Sequence, residues 1–277
     1  MYVERFKTPI FRKKLIITLL LLVFFRLIAH IPVPGVNIAL LKQFFSQNQL
    51  LSLLDIFSGG TLANFSIAAL GLSPYITASV LMQILALVVP KIEELQKEGE
   101  YGRAKINQYI RIATIPFAII NGFGMFTILR SQNIITDFNP LTVVGMIFSM
   151  LAGTMIMIFL GEMINIYGVG NGISMLIFAG IISRLPISFI QTFSVTDFSN
   201  PQNTLNIIIL AALAIALIFC IVLVEESILR VPINYAKRGQ STYLPIQINT
   251  AGVMPIIFAV SLATVHSLLG QFLGNVS

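Results

Sequence analysis

Residues 57–85 read FSGGTLANFSIAALGLSPYITASVLMQIL, and residues 159–180 read FLGEMINIYGVGNGISMLIFAG. Both are apolar stretches broken by glycine and small polar residues. A hydrocarbon slab offers the backbone no hydrogen-bond partners, so irregular, glycine-rich backbone at membrane depth is tolerated where protein or a water-filled cavity surrounds it. Two such breaks in one chain imply an enclosed pathway.

The rest of the chain agrees with a lipid solvent. Of its 277 residues, 56% are apolar and only 10% are charged, which would leave a soluble domain without a polar surface. Hydrocarbon about 30 Å thick needs roughly 20 residues of helix, and apolar runs fall at 15–31, 69–89, 109–129, 141–160, 173–193, 205–224 and 251–272. The expectation is therefore an all-α, polytopic bundle of seven transmembrane helices. The first run ends in HIPVPG at 30–35 rather than in a small-residue cleavage site, so it reads as a retained span and not a signal peptide. No transit segment is read ahead of it.

Basic residues set the orientation. Thirteen lie on the side of the N-terminus: Arg5, Lys7, Arg12, Lys13 and Lys14; Lys91, Lys97, Arg103, Lys105 and Arg111; and Arg230, Lys237 and Arg238. Lys42, Arg130 and Arg184 lie on the other side. This asymmetry places the N-terminus in the cytoplasm. The net charge of +6 points to loop asymmetry, anionic headgroups and acidic partner surfaces rather than to nucleic-acid readout. The single cysteine, Cys220, rules out an intramolecular disulfide.

In the long external segment 32–68, an apolar run at 51–57 is broken by Ser58-Gly59-Gly60-Thr61 and resumes at 63–70. Too short to span and too apolar for water, it is expected to re-enter the bundle; an interfacial helix is the alternative. Leu72 and Ile76, four residues apart, share a helix face, flanked by Ser73, Thr77, Ser79 and Gln83. That stripe suits the lining of a pore with an aliphatic constriction, although ordinary packing produces the same pattern.

All eleven acidic residues are read in loops or at span ends, leaving no carboxylate for a mid-membrane proton or cation site. Arg26 is the one strong charge placed inside a span, where it can snorkel to the interface. His30 and His266 lack metal-ligand spacing. The run GVGNG follows a membrane span rather than a soluble strand, so it is not read as a phosphate loop. No catalytic group, cofactor or metal is expected. Gly168, Gly170 and Gly172 read as a structural turn, with Asn171 capping the helix that begins near Ile173.

The runs GLSPYITASVLMQIL (71–85) and LGEMINIYGVGNGISMLIFAG (160–180) resemble the two signature stretches of the SecY family, the central subunit of the protein-conducting channel. FRLIAHIPVPGV, EGEYGRAKINQYIR, VPINYAKRG and LPIQINTAGVMPIIFA extend the resemblance over about 24–259. The resemblance implies ten helices in two inverted halves hinged like a clamshell, with an hourglass pore closed outside by a short plug helix. Here the halves would be 1–193, with the plug at about 52–68, and 194–277, the second incomplete. The plug would take Ser58, Gly59, Gly60, Thr61, Leu62, Ala63, Asn64 and Phe65. The pore ring would take Leu72, Ile76, Ile177, Ile257 and Ser261; a lateral gate would involve Thr77, Gln83, Asn121 and Asn249. Lys237 and Arg238 would serve cytoplasmic docking.

Implied partners are SecE-like and SecG-like subunits, the SecA motor or a translating ribosome, signal peptides, unfolded preproteins and membrane lipid. The implied location is the bacterial plasma membrane, with a plastid thylakoid as the other possibility. Two features depart from the family. The chain stops after its seventh span, and YAKRGQSTYL at 235–244 is shorter than the usual loop. A secondary transporter, which also uses broken helices, and a non-conducting remnant stand as alternatives to a translocase channel.

Overall fold

A computed structural model describes residues 8–33, 36–47, 61–62, 64–131, 134–135, 139–183, 201–233 and 242–249. It also describes positions 186, 189–190, 193–194, 196, 252 and 259. The described residues form two units, one built from positions up to 186 and the other from positions 189–259.

In the first unit, α1 (Pro9–Ile28) opens on proline, whose missing N–H is no loss in a first helical turn. Asn37 caps α2 (Ile38–Gln47), its Oδ1 accepting from the Ala39 and Leu40 amides at 3.1 and 3.3 Å. Then comes α3 (Ser73–Val88), which meets α4 (Pro90–Lys97) at a bend of 103°. Val89 at the corner is extended (φ −104°, ψ 108°), as the residue before proline must tend to be. The long helices α5 (Glu100–Ser131) and α6 (Pro140–Tyr167) follow, then α7 (Gly172–Ile182). α3 lies chiefly along α5, α5 along α6, and α6 also carries α1 and α7.

Among the described residues, three helices are long and apolar enough to cross a membrane unaided: α5, α6 and 202–226; the bent α3–α4 pair makes a fourth. α1 carries Arg12, Lys13, Lys14 and Arg26 in twenty residues, and α7 has only eleven. The second span begins at Ser73, four residues later than the apolar run suggested. The seventh, 251–272, falls almost wholly outside the described residues.

The expected plug helix does not form in the described part of its segment. Residues 61–62 and 64–72 run as turns, with Thr61, Phe65, Ser66 and Ala68 fully buried. The reason is local. Phe65 sits at φ +43°, which an α-helix cannot contain. Its carbonyl and the Ile67 amide are engaged across the chain with Val33 and Ile31 at 2.9 Å each. Ser58, Gly59, Gly60 and Ala63 lie outside the described residues.

Two cores result among the described residues. One packs Val33, Leu41, Phe65, Phe126, Leu129 and Ile135 with Met146 and Met150. The other joins α1, α3, α6 and α7.

The second unit holds α8 (Pro201–Glu226), apolar on all sides and exposed within its unit, and a β-hairpin of β1 (Ile228–Ile233) and β2 (Thr242–Gln247). The hairpin is a local addition that the sequence reading lacked; the chain is otherwise helical, as expected. Its register pairs Leu229 with Ile246, Arg230 with Pro245 and Pro232 with Tyr243. In an antiparallel ladder hydrogen-bonded and non-hydrogen-bonded pairs alternate. Both prolines fall in the same alternate set, so neither missing N–H interrupts the ladder; a two-stranded ribbon has only edges, where proline is tolerated.

Candidate functional site: an aliphatic cluster beside a glycine turn

Leu72 takes the N-cap position of α3 with no side-chain cap of its own, and Pro74 fills the first turn behind it. The Ile76 amide donates to the Leu72 carbonyl at 2.9 Å, so the two side chains stand one turn apart. Leu72 is 6% exposed and belongs to a cluster with Phe25 and Ile28 of α1, Met157, Leu160 and Ile164 of α6, and Leu176 of α7. Tyr75, Ile76 and Ile177 pack against that cluster. Three of the five pore-ring candidates, taken from sequence stretches a hundred residues apart, thus meet in one apolar body. Ile257 and Ser261 lie outside the described residues.

A cluster of this kind has no catalytic chemistry. It excludes water and offers no directional bonds, which is what an aliphatic seal requires. The plug candidates Thr61, Leu62, Asn64 and Phe65 sit in the turns leading to it, with Thr61 and Phe65 fully buried.

The glycine turn after α6 shapes the other side of the cluster. Asn171 caps α7 as expected, its Oδ1 accepting from Ile173 and Ser174 at 3.1 and 3.3 Å. Gly170 has φ +77°. Two partners were not legible in sequence. Asn165 Oδ1 accepts from the Gly172 amide at 2.7 Å. Thr18 of α1 donates its hydroxyl hydrogen to the Lys14 carbonyl at 2.9 Å and accepts from the Val169 amide at 3.0 Å. At Gly172 an added Cβ would stand 1.8 Å from the Gly161 carbonyl oxygen; this pair of glycines is what lets α7 seat against α6.

Of the lateral-gate candidates, Thr77 is buried and donates to the Ser73 carbonyl of its own helix at 3.1 Å. Gln83 and Asn121 are half-buried on α3 and α5. Asn249, in the other unit, donates to Glu225 at 2.8 Å and accepts from the Gly252 amide at 3.1 Å. Lys237 and Arg238 lie outside the described residues, between the two strands of the hairpin.

Arg111, counted above with the basic residues on the side of the N-terminus, lies twelve residues into α5, and its Nε pairs with Glu162 Oε1 of α6 at 2.6 Å. Arg26 is therefore not the only strong charge within a helix. α5, at about 1.5 Å per residue, is longer than the hydrocarbon requires, and the pair lies in its N-terminal half. On α4, Lys97 donates to Glu93 at 2.7 Å; this holds the Glu93 carboxyl below its ordinary value and the Lys97 ammonium above its own.

This is the architecture of a multi-pass helical membrane protein built around an apolar centre. The chain belongs to the SecY family, whose model matches residues 66–277. It is 38% identical to the protein translocase subunit SecY of Streptomyces scabiei over 99% of this chain and 67% of that one. With the Pseudomonas aeruginosa subunit it shares 43% identity over 92% of this chain and 60% of that one. Its fold is similar to a solved protein-conducting channel (TM-score 0.64, 19% identity, 94% of this chain and 58% of that chain). It is also similar to a SecY channel whose plug domain stabilises the closed state and maintains a membrane seal (TM-score 0.61, 20% identity, the same coverage). The chain thus spans about two thirds of the length of the first relatives and less of the channel structures.

Proposed function

We propose that the protein is the central subunit of a translocase, conducting unfolded polypeptides across the membrane and releasing hydrophobic segments sideways into lipid. The observation that carries this reading is the meeting of Leu72, Ile76 and Ile177 in one cluster, because those residues come from the two stretches that define the family. The pore ring is completed by Ile257 and Ser261. The segment from Ser58 to Phe65 plugs it from outside, and Thr77, Gln83, Asn121 and Asn249 border the lateral exit. Residues 1–193 and 194–277 belong to the two halves of the clamshell.

In this reading the N-terminus is cytoplasmic and the membrane is the bacterial plasma membrane. Lys237 and Arg238, between β1 and β2 in sequence, meet a SecA motor or a ribosome, and SecE-like and SecG-like subunits clamp the bundle. A solved relative, Sec61, is seen in a ribosome–channel complex, which supports a docking partner of that kind.

The test is electrical. Replacing Leu72, Ile76 and Ile177 together with glycine in the complete channel removes the bulk that excludes water at the constriction. Single-channel recording in planar bilayers should show a raised chloride leak. A triple variant as tight as the unmodified channel refutes the assignment.

A further inference from the structure

The outer end of α1 and the approach to α3 are joined by a short clip of extended backbone. Val33 donates its amide to the Phe65 carbonyl and Ile67 donates to the Ile31 carbonyl, both at 2.9 Å, with Pro32 and Ser66 paired between them. Those two bonds bracket the pair, so Pro32 and Ser66 form the non-hydrogen-bonded position of an antiparallel ladder. That is the one place in such a clip where a proline, lacking N–H, costs nothing.

Three further observations bear on the same joint. Gly153 of α6 is so close that an added Cβ would stand 2.0 Å from the Ile67 carbonyl oxygen and 2.6 Å from its carbon. The clip is therefore seated on a third element through backbone, which cannot swing aside as a side chain can. Phe65 is fully buried although it holds φ +43°, a conformation that persists in a bulky residue only when its surroundings over-determine it. Ser66 is fully buried, and its hydroxyl is the one buried side-chain polar atom without a hydrogen-bond partner among the described residues. A segment retaining a strained φ and an orphaned hydroxyl is held by its backbone bonds and by packing.

We propose that residues 31–33 and 65–67, seated on Gly153, form a permanent joint that stays closed while the channel conducts. The outer end of α1, the approach to α3 and the middle of α6 then move as one body. Movement that opens the pore takes place on other seams, and the plug turns about Phe65 as its fixed end. This rests on the translocase reading above and adds to it which contacts do not break.

The joint can be welded shut. A non-hydrogen-bonded antiparallel pair has Cα atoms about 4.5 Å apart, within the range a disulfide spans. The complete protein carrying Cys220→Ser, Pro32→Cys and Ser66→Cys is oxidised, incorporated in vesicles with its partner subunits, and assayed for preprotein translocation before and after reduction. The cross-link should form in the resting channel, and oxidised and reduced channels should translocate at rates within about twofold of each other. A loss of about tenfold or more on oxidation, restored by reductant, overturns the proposal, because the joint would then have to open. Failure of the cross-link to form overturns it as well.

Absence of translocation by the reduced variant and by the unmodified protein alike would instead overturn the translocase reading, and with it the conducting state the proposal needs. Independently of transport, Gly153→Ala should lower the cross-linking yield several-fold, whereas Gly145→Ala, with open space around it, should leave it unchanged. Equal yields in the two variants would show that α6 does not seat the joint.

Discussion

Gly172→Ala adds one methyl group at the tightest crossing around the central cluster. The new Cβ would lie 1.8 Å from the Gly161 carbonyl oxygen, 2.7 Å from its carbonyl carbon and 3.0 Å from its Cα. All three are backbone atoms. Ordinary contact is restored only if α7 retreats from α6 by roughly 1.5 Å. That shift would stretch the 2.7 Å bond from the Gly172 amide to Asn165 beyond hydrogen-bonding length and loosen Leu176 against α6. Overpacking of a well-packed interior costs about 1–3 kcal/mol, and the lost hydrogen bond adds about 1 kcal/mol.

The expected destabilisation is therefore about 2–4 kcal/mol, as a packing effect. Gly170→Ala is the matched control. Gly170 has nothing within 4 Å of an added Cβ but holds φ +77°, so only its backbone preference is lost, about 1–2 kcal/mol. Equilibrium unfolding of the detergent-solubilised protein by SDS titration should rank Gly172→Ala below Gly170→Ala, and both below the unmodified protein. If Gly172→Ala unfolds at the same midpoint as the unmodified chain, or later than Gly170→Ala, the close crossing does not govern how α7 seats.

Two more outcomes follow from the charged groups. Arg111 and Glu162 keep 49% and 29% of their side-chain surfaces exposed, between the limits for buried and surface pairs. Arg111→Gln or Glu162→Gln alone should cost about 1–2 kcal/mol, and the double variant less than the two together; strict additivity in the same SDS titration would mean the pair is not coupled. At the surface of α4, Lys97 holds the Glu93 carboxyl below its ordinary 4.5. Because this pKa is depressed in the folded state, the support the pair gives α4 is present above the ordinary value and fades as pH falls through the lowered one. Carboxyl NMR of the labelled protein should show Glu93 titrating below 4.5, and Lys97→Met should move it upward; an unmoved midpoint would break the assignment.

Composition and spacing were enough to set the class, because a chain this apolar with so few charges must take lipid as its solvent. They also marked the places that matter. A glycine break inside an apolar stretch has few explanations where water is absent, and the Leu72–Ile76 stripe and the Asn171 cap could be read from one turn of helix. The hairpin around Arg230 and Leu244 was not read: its two strands entered only as family-like runs, and each carries a proline, Pro232 or Pro245, which disfavours a strand interior. Only the pairing register reveals that both occupy positions where no N–H is needed.

Long-range partners were beyond the sequence for the same reason. That Ile177 stands with Leu72, that Thr18 holds Val169, that Arg111 meets Glu162, and that Gly153 and Gly161 yield their surfaces to Ile67 and Gly172 are facts about how helices lie against one another. Local patterns decide which residues can form a helix and which face is apolar. Which carbonyl presses on which glycine is decided by the whole set of crossings at once, because backbone can approach backbone that closely only where the neighbouring helices already hold both in place.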